Sequence, residues 1–175
     1  MLTLHAVALR YKDSHSASVP IPRTDNLPIF SDNVIPSMLV HLGVIDLSTS
    51  TPSLGLQNVF PSAGKKETLD LLLGATLSRP DKPKGDKKAP PKEGPILTTE
   101  QAFTLRAAAV DACELIVQYA RNLSDGELRT VDGKELKWLR TITLPELDAW
   151  VWAVAKDRAD YRDLERFALR NTTYF

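Results

Sequence analysis

Residues 97 to 124, "LTTEQAFTLRAAAVDACELIVQYARNLS", form the longest uninterrupted helical pattern in the chain and constrain its fold more than any other stretch. Thr98 or Thr99 can cap its start, Glu100 or Gln101 falls in the first turn, and Ala, Leu, Val and Ile recur at helical spacing. The cylinder reads as apolar on nearly every side, which predicts a helix buried over most of its circumference at the centre of a helical domain. Arg106, Asp111 and Glu114 interrupt it. Arg106 and Glu114 lie eight residues apart, roughly on one side, and buried charges there need polar company.

Other segments agree with a mainly α class. "TLPELDAWVWAVAKDRADYRDLERFAL" predicts a second long helix from Thr143, with Pro145 in its first turn. The apolar residues 35, 38, 39, 42 and 45 predict a helix that Gly43 can end, with Asp32 or Asn33 as its cap. Shorter helices are expected near residues 1 to 10 and in "ETLDLLLGATL", which should end near Gly74. Residues 78 to 95, rich in Lys, Pro and Gly, cannot offset their ordering entropy by burial and read as a disordered insertion. No repeat appears, and at 175 residues one domain spanning 1–175 is expected.

Charge narrows the function. Lys plus Arg and Asp plus Glu each number 22, so no net field draws the chain to nucleic acid or to an anionic membrane. The single cysteine, Cys113, has no partner for a disulfide, and the N-terminal apolar run is too short for a signal or a span. A soluble cytoplasmic or nuclear protein is expected. His5, His15 and His41 have no second ligand at zinc spacing, and phosphate-loop, nucleophile-elbow and redox-cysteine motifs are missing. What remains are carboxylates in apolar company. Asp32 is either a helix cap or a functional anion; Asp148 lies four residues before Trp152 and near the face of Lys156, as an exposed ion pair or as part of a pocket. Trp138, Trp150 and Trp152 read as core in preference to a stacking platform.

Taken together, "LPIFSDNVIPSMLVHLGVI", "LRAAAVDACELI", "LDAWVWAVAKDRADY" and the ending "TTYF" resemble the C-terminal half of the queuosine salvage proteins, the queuosine 5′-phosphate N-glycosylases/hydrolases. Phe30, Asp32, Asn33, Pro36 and Leu39 match the first family element. Arg106, Glu114, Leu115 and Ile116 match the second, and Leu147, Asp148, Trp152, Lys156 and Asp157 the third. The family's N-terminal half has no match here, and the Lys/Pro-rich insertion has no counterpart in shorter members, so a truncated or diverged member is expected. The resemblance implies a fold like that of helical DNA glycosylases and release of queuine from queuosine 5′-monophosphate for reinsertion into tRNA, without metal or cofactor. On the same grounds Asp32 and Asp148 are the expected catalytic residues. Phe30, Asn33, Trp152 and Lys156 would contact substrate, and Arg106 with Glu114 would give polar support. A non-catalytic helical binding domain is the alternative. Neither membrane nor direct nucleic-acid binding is expected, whereas half a fold should expose an apolar face open to self-association.

Overall fold

The computed structural model describes residues 2–11, 23–74, 93–130 and 133–172. Within them the protein is mainly helical: α1 (Leu2–Tyr11), α2 (Val34–His41), α3 (Lys66–Gly74), α4 (Thr99–Arg121), α5 (Leu144–Asp157) and the short α6 (Ala159–Arg162). Two short strands, β1 (Glu93–Ile96) and β2 (Arg166–Ala168), pair in parallel. Most of the segment read as a disordered insertion lies outside the described residues, but its last residues, Glu93 to Pro95, belong to β1. The chain divides into two compact units, Met1–Phe30 with Cys113–Trp150, and Ser31–Ala112 with Val151–Phe175.

Both long helices start as their sequences dictate. Thr98 Oγ1 accepts from the Gln101 N–H at 3.2 Å, and Gln101 Oε1 accepts from the Thr98 N–H at 2.9 Å. This reciprocal capping satisfies two groups that the first turn would leave orphaned. At α5, the Thr143 N–H and hydroxyl both donate to Glu146 Oε2, at 2.8 and 2.9 Å.

The interior of α4 differs from expectation. Ala102, Leu105, Ala109, Cys113, Val117 and Ala120 are buried, a single stripe at three- and four-residue spacing. Phe103, Leu115 and Tyr119 are instead 58%, 64% and 66% exposed. The helix therefore buries one face, not most of its circumference. Its alanines made the cylinder look apolar all round, yet alanine favours a helix on either face through propensity alone. The tryptophans fail the core expectation in the same way: Trp138, Trp150 and Trp152 are all exposed.

The second predicted long helix ends at Asp157 instead of continuing to Leu169. Arg158 takes an extended conformation, and its guanidinium donates to the Asp160 carboxylate and to the Leu72 carbonyl. After α6 the chain turns into β2, where Phe167 is fully buried between half-buried neighbours. That alternation is the strand period, and over so few residues a helical reading fits equally well.

In the unit of residues 31–112 and 151–175, the core gathers Val40, Leu47, Leu56, Phe60, Leu105 and Phe167 with neighbouring apolar groups. Every residue of α2 is buried, and Gly43 ends that helix with φ +70°, a conformation that favours glycine. β1 meets β2 with Glu93 opposite Arg166 and Ile96 opposite Ala168. A Cβ on Gly94 would stand 2.5 Å from the Arg166 carbonyl oxygen, so the strands approach more closely there than any side chain permits.

The other unit holds α1, whose buried His5 pairs through Nδ1 with Thr24 Oγ1 at 2.8 Å, and the C-terminal part of α4. Arg140 closes the chain beyond α4, donating from Nε and Nη2 to the Leu123 carbonyl and pairing with Asp125 at 2.8 Å. A cation at that end also complements the helix dipole.

Candidate functional site

Asp32 is the best-defined candidate. Its Oδ1 accepts the Val34 N–H at 2.7 Å and the Ile35 N–H at 3.3 Å, so one carboxylate oxygen closes the first turn of α2. The capping expectation holds, through Asp32 and not Asn33: the Asn33 side chain makes no cap bond. Half-buried, Asp32 retains a second oxygen beyond the two amide contacts. Its charge reaches two guanidiniums, those of Arg106 and Arg166. Burial lowers the pKa of both arginines, and the attraction of Asp32 works against that shift.

The loop that carries Asp32 is tied down on both flanks. Ser31 Oγ donates to the Arg106 carbonyl of α4 at 3.0 Å, and Asn33 Nδ2 donates to the Phe167 carbonyl of β2 at 3.0 Å. Ser37, fully buried on α2, donates to the Asn33 carbonyl at 2.7 Å and accepts the Phe167 N–H at 3.2 Å. One turn further, His41 Nε2 meets the Glu165 carbonyl at 2.8 Å, and its ring stands edge-on to Phe60 at 5.1 Å. Burial lowers the His41 pKa, so the imidazole is neutral at pH 7 and donates from Nε2. Three hydrogen bonds, from Asn33, Ser37 and His41, thus tie α2 and its cap to the residues around β2.

No family model, curated protein or solved structure matches the chain. The residues themselves therefore carry the functional argument.

The remaining expected site residues fall into separate settings. Asp148 is buried in the other unit, where Oδ2 accepts the Phe30 N–H at 2.7 Å, so it is not the exposed ion-pair member that the sequence allowed. Its charge also adds to burial in pushing the Cys113 thiol up to about 12, with burial the larger cause, and that thiol is accordingly no nucleophile at neutral pH. Phe30 is exposed and contributes its N–H to this contact. Glu114 is exposed on α4 and not a buried support. On α5, Lys156 Nζ lies 4.1 Å from the centroid of the exposed Trp152 ring, a cation–π pair that covers one face of the indole. Among the described residues no cluster of His, Cys, Asp and Glu could hold a metal ion, and no helix is long and apolar enough to cross a membrane.

Sequence reasoning missed Arg166, Ser31 and Ser37. Arg166 stood in a stretch read as helix, which hid its electrostatic link to Asp32. Ser37 carried a usable signal, because it follows Asn33 by four residues on one helical face.

Proposed function

We propose that this chain belongs with the queuosine salvage enzymes, shares their helical-glycosylase-like fold, and hydrolyses the N-glycosidic bond of queuosine 5′-monophosphate to free queuine. The observation that supports this best is the Asp32 carboxylate, held by two backbone N–H groups at the head of a wholly buried helix within the segment most like that family. As the bond from C1′ to the base nitrogen lengthens, positive charge develops on the ribose. A carboxylate already oriented stabilises that charge without reorganising. The oxygen of a water molecule then bonds to C1′, the base nitrogen leaves with the bonding pair and takes a proton, and the products are ribose 5-phosphate and queuine. The uncommitted oxygen of Asp32 can accept a proton from that water as it attacks. Asp148 serves this reading as an anchor for Phe30, two residues ahead of Asp32. Trp152, in the same unit as Asp32, offers an exposed ring to a planar base.

The test is queuine release, followed by mass spectrometry, for the wild type and Asp32→Asn. Asn can still accept the two amide bonds but loses the charge that attracts the part-buried Arg106 and Arg166, so stability should fall by about 1–3 kcal/mol with the fold retained. Turnover should fall by at least about 10²-fold. Equal turnover in the variant would remove Asp32 from the chemistry.

A second reading, a non-catalytic helical binding domain, draws on the exposed Leu115, Tyr119 and Trp150, all in one unit. Folded wild-type protein that releases no queuine would favour it.

A further inference from the structure

Among the described residues no third strand pairs with the far edge of β2. Arg166 and Ala168 are the residues of β2 that pair with β1, so Phe167, between them, directs its N–H and C=O away from β1. Both groups are nonetheless satisfied, by side chains of one helix. Ser37 Oγ accepts the Phe167 N–H, and Asn33 Nδ2 donates to the Phe167 carbonyl. The Ser37 hydroxyl has a single proton, already donated to the Asn33 carbonyl, so a lone pair is left facing the Phe167 N–H. Helical spacing of four residues puts Asn33 and Ser37 on the same side of α2, where together they stand in for the missing strand.

This arrangement fixes more than a strand edge. Asp32 precedes Asn33 directly and is bonded to the first amides of α2, so the place of α2 on β2 sets the place of the carboxylate. Arg166, whose charge interacts with Asp32, precedes Phe167 directly on the other side of the same contact. We infer that Ser37 and Asn33 are positioning residues that hold the Asp32 carboxylate in register with β2 by capping the backbone of Phe167. The inference rests on the proposed hydrolysis for its catalytic meaning, and it reassigns Asn33 from substrate contact to support of Asp32.

The experiment compares Ser37→Ala, Asn33→Ala, the double variant and Leu56→Ala in steady-state queuine release. Leu56→Ala is a buried control in the same core, chosen to lower stability without touching the capping pair. The expected result is a fall in kcat of about 10-fold or more for both single variants with KM nearly unchanged, as expected when reacting groups lose orientation. The double variant should lose little beyond either single one, because both act on one contact. A raised KM in Asn33→Ala, with Ser37→Ala silent, would overturn the inference and return Asn33 to substrate binding. An equal loss of kcat in Leu56→Ala would reduce the effect to general stability. Hydrogen exchange at the Val34, Ile35 and Phe167 amides is measured on the same proteins. If the wild type releases no queuine, the hydrolase reading fails while exchange still decides the positioning claim. Selective loss of protection at all three amides in Ser37→Ala supports it; protection retained at Val34 and Ile35 overturns it.

Discussion

Asp32 and His41 sit at opposite ends of α2 and fill opposite electrostatic roles. Asp32 exposes part of its carboxylate at the start of the helix, whereas His41 is buried at the end and neutral, bonded to the Glu165 carbonyl. His41 makes stability depend on pH. In the unfolded chain the imidazole takes a proton near pH 6.5, but in the folded protein burial holds its pKa lower. Folding thus binds fewer protons at this site. The full stabilisation is present above pH 6.5 and is lost as pH falls from 6.5 toward the lowered value. Thermal unfolding between pH 7.5 and 5 should show Tm dropping over that window, and His41→Gln, which keeps a donor but does not titrate, should flatten the drop. An unchanged slope would show that other groups govern the acid limb. The arginine at 106 has a further lesson at this scale. Its position on an apolar helix marked it as needing polar company, and the structure supplies this partly through Asp32, from a segment seventy-odd residues earlier that no helical spacing could link to it.

Helix entrances show the closest agreement between local sequence and structure. Threonine followed three residues later by glutamine or glutamate appears at Thr98 and Thr143, and at both places the side chains meet as local chemistry requires. Thr98→Ala should lower unfolding stability in urea by about 1 kcal/mol, since the N–H groups left behind are exposed to water and recover part of the loss. A change below about 0.3 kcal/mol would mean that water caps α4 equally well. Strands give the contrasting case. β1 was hidden in a Pro/Gly-rich sequence, because its stability comes from β2 and the core beneath it instead of from propensity. Gly94 was a visible clue, misread as looseness when it marks a close backbone approach. Gly94→Ala must push against the Arg166 carbonyl and should cost about 1–3 kcal/mol, with amide shifts spreading through residues 166 to 168. Wild-type stability in that variant would mean that β1 slides without disturbing its partner.

Across the whole chain, the sequence declares helices better than it declares which faces they bury. α2 could be delimited from its cap at Asp32 and from Gly43, yet its burial draws on Phe167 and Phe60, which pack in the same core from elsewhere in the sequence. Asp32 was legible as a helix cap through its place before an apolar helix. Ser37, Arg166 and the Phe167 backbone were not, since each acquires its role from a contact across more than sixty residues. Exposed Leu115, Tyr119 and Trp150 lead to a prediction for the intact protein: sedimentation velocity should reveal concentration-dependent association, and Tyr119→Lys should weaken it. A single species across the concentration range would show that these side chains are tolerated singly. The cap on Phe167 bears on association of another kind. An unpaired strand edge is a template on which a neighbouring molecule can add its own strand, the first step toward fibrous aggregates. By filling both hydrogen-bonding positions of that residue with a serine and an asparagine from a helix, the protein denies such a neighbour a docking point at Phe167, so the contact that holds the segment of the carboxylate also blunts the β2 edge of the sheet.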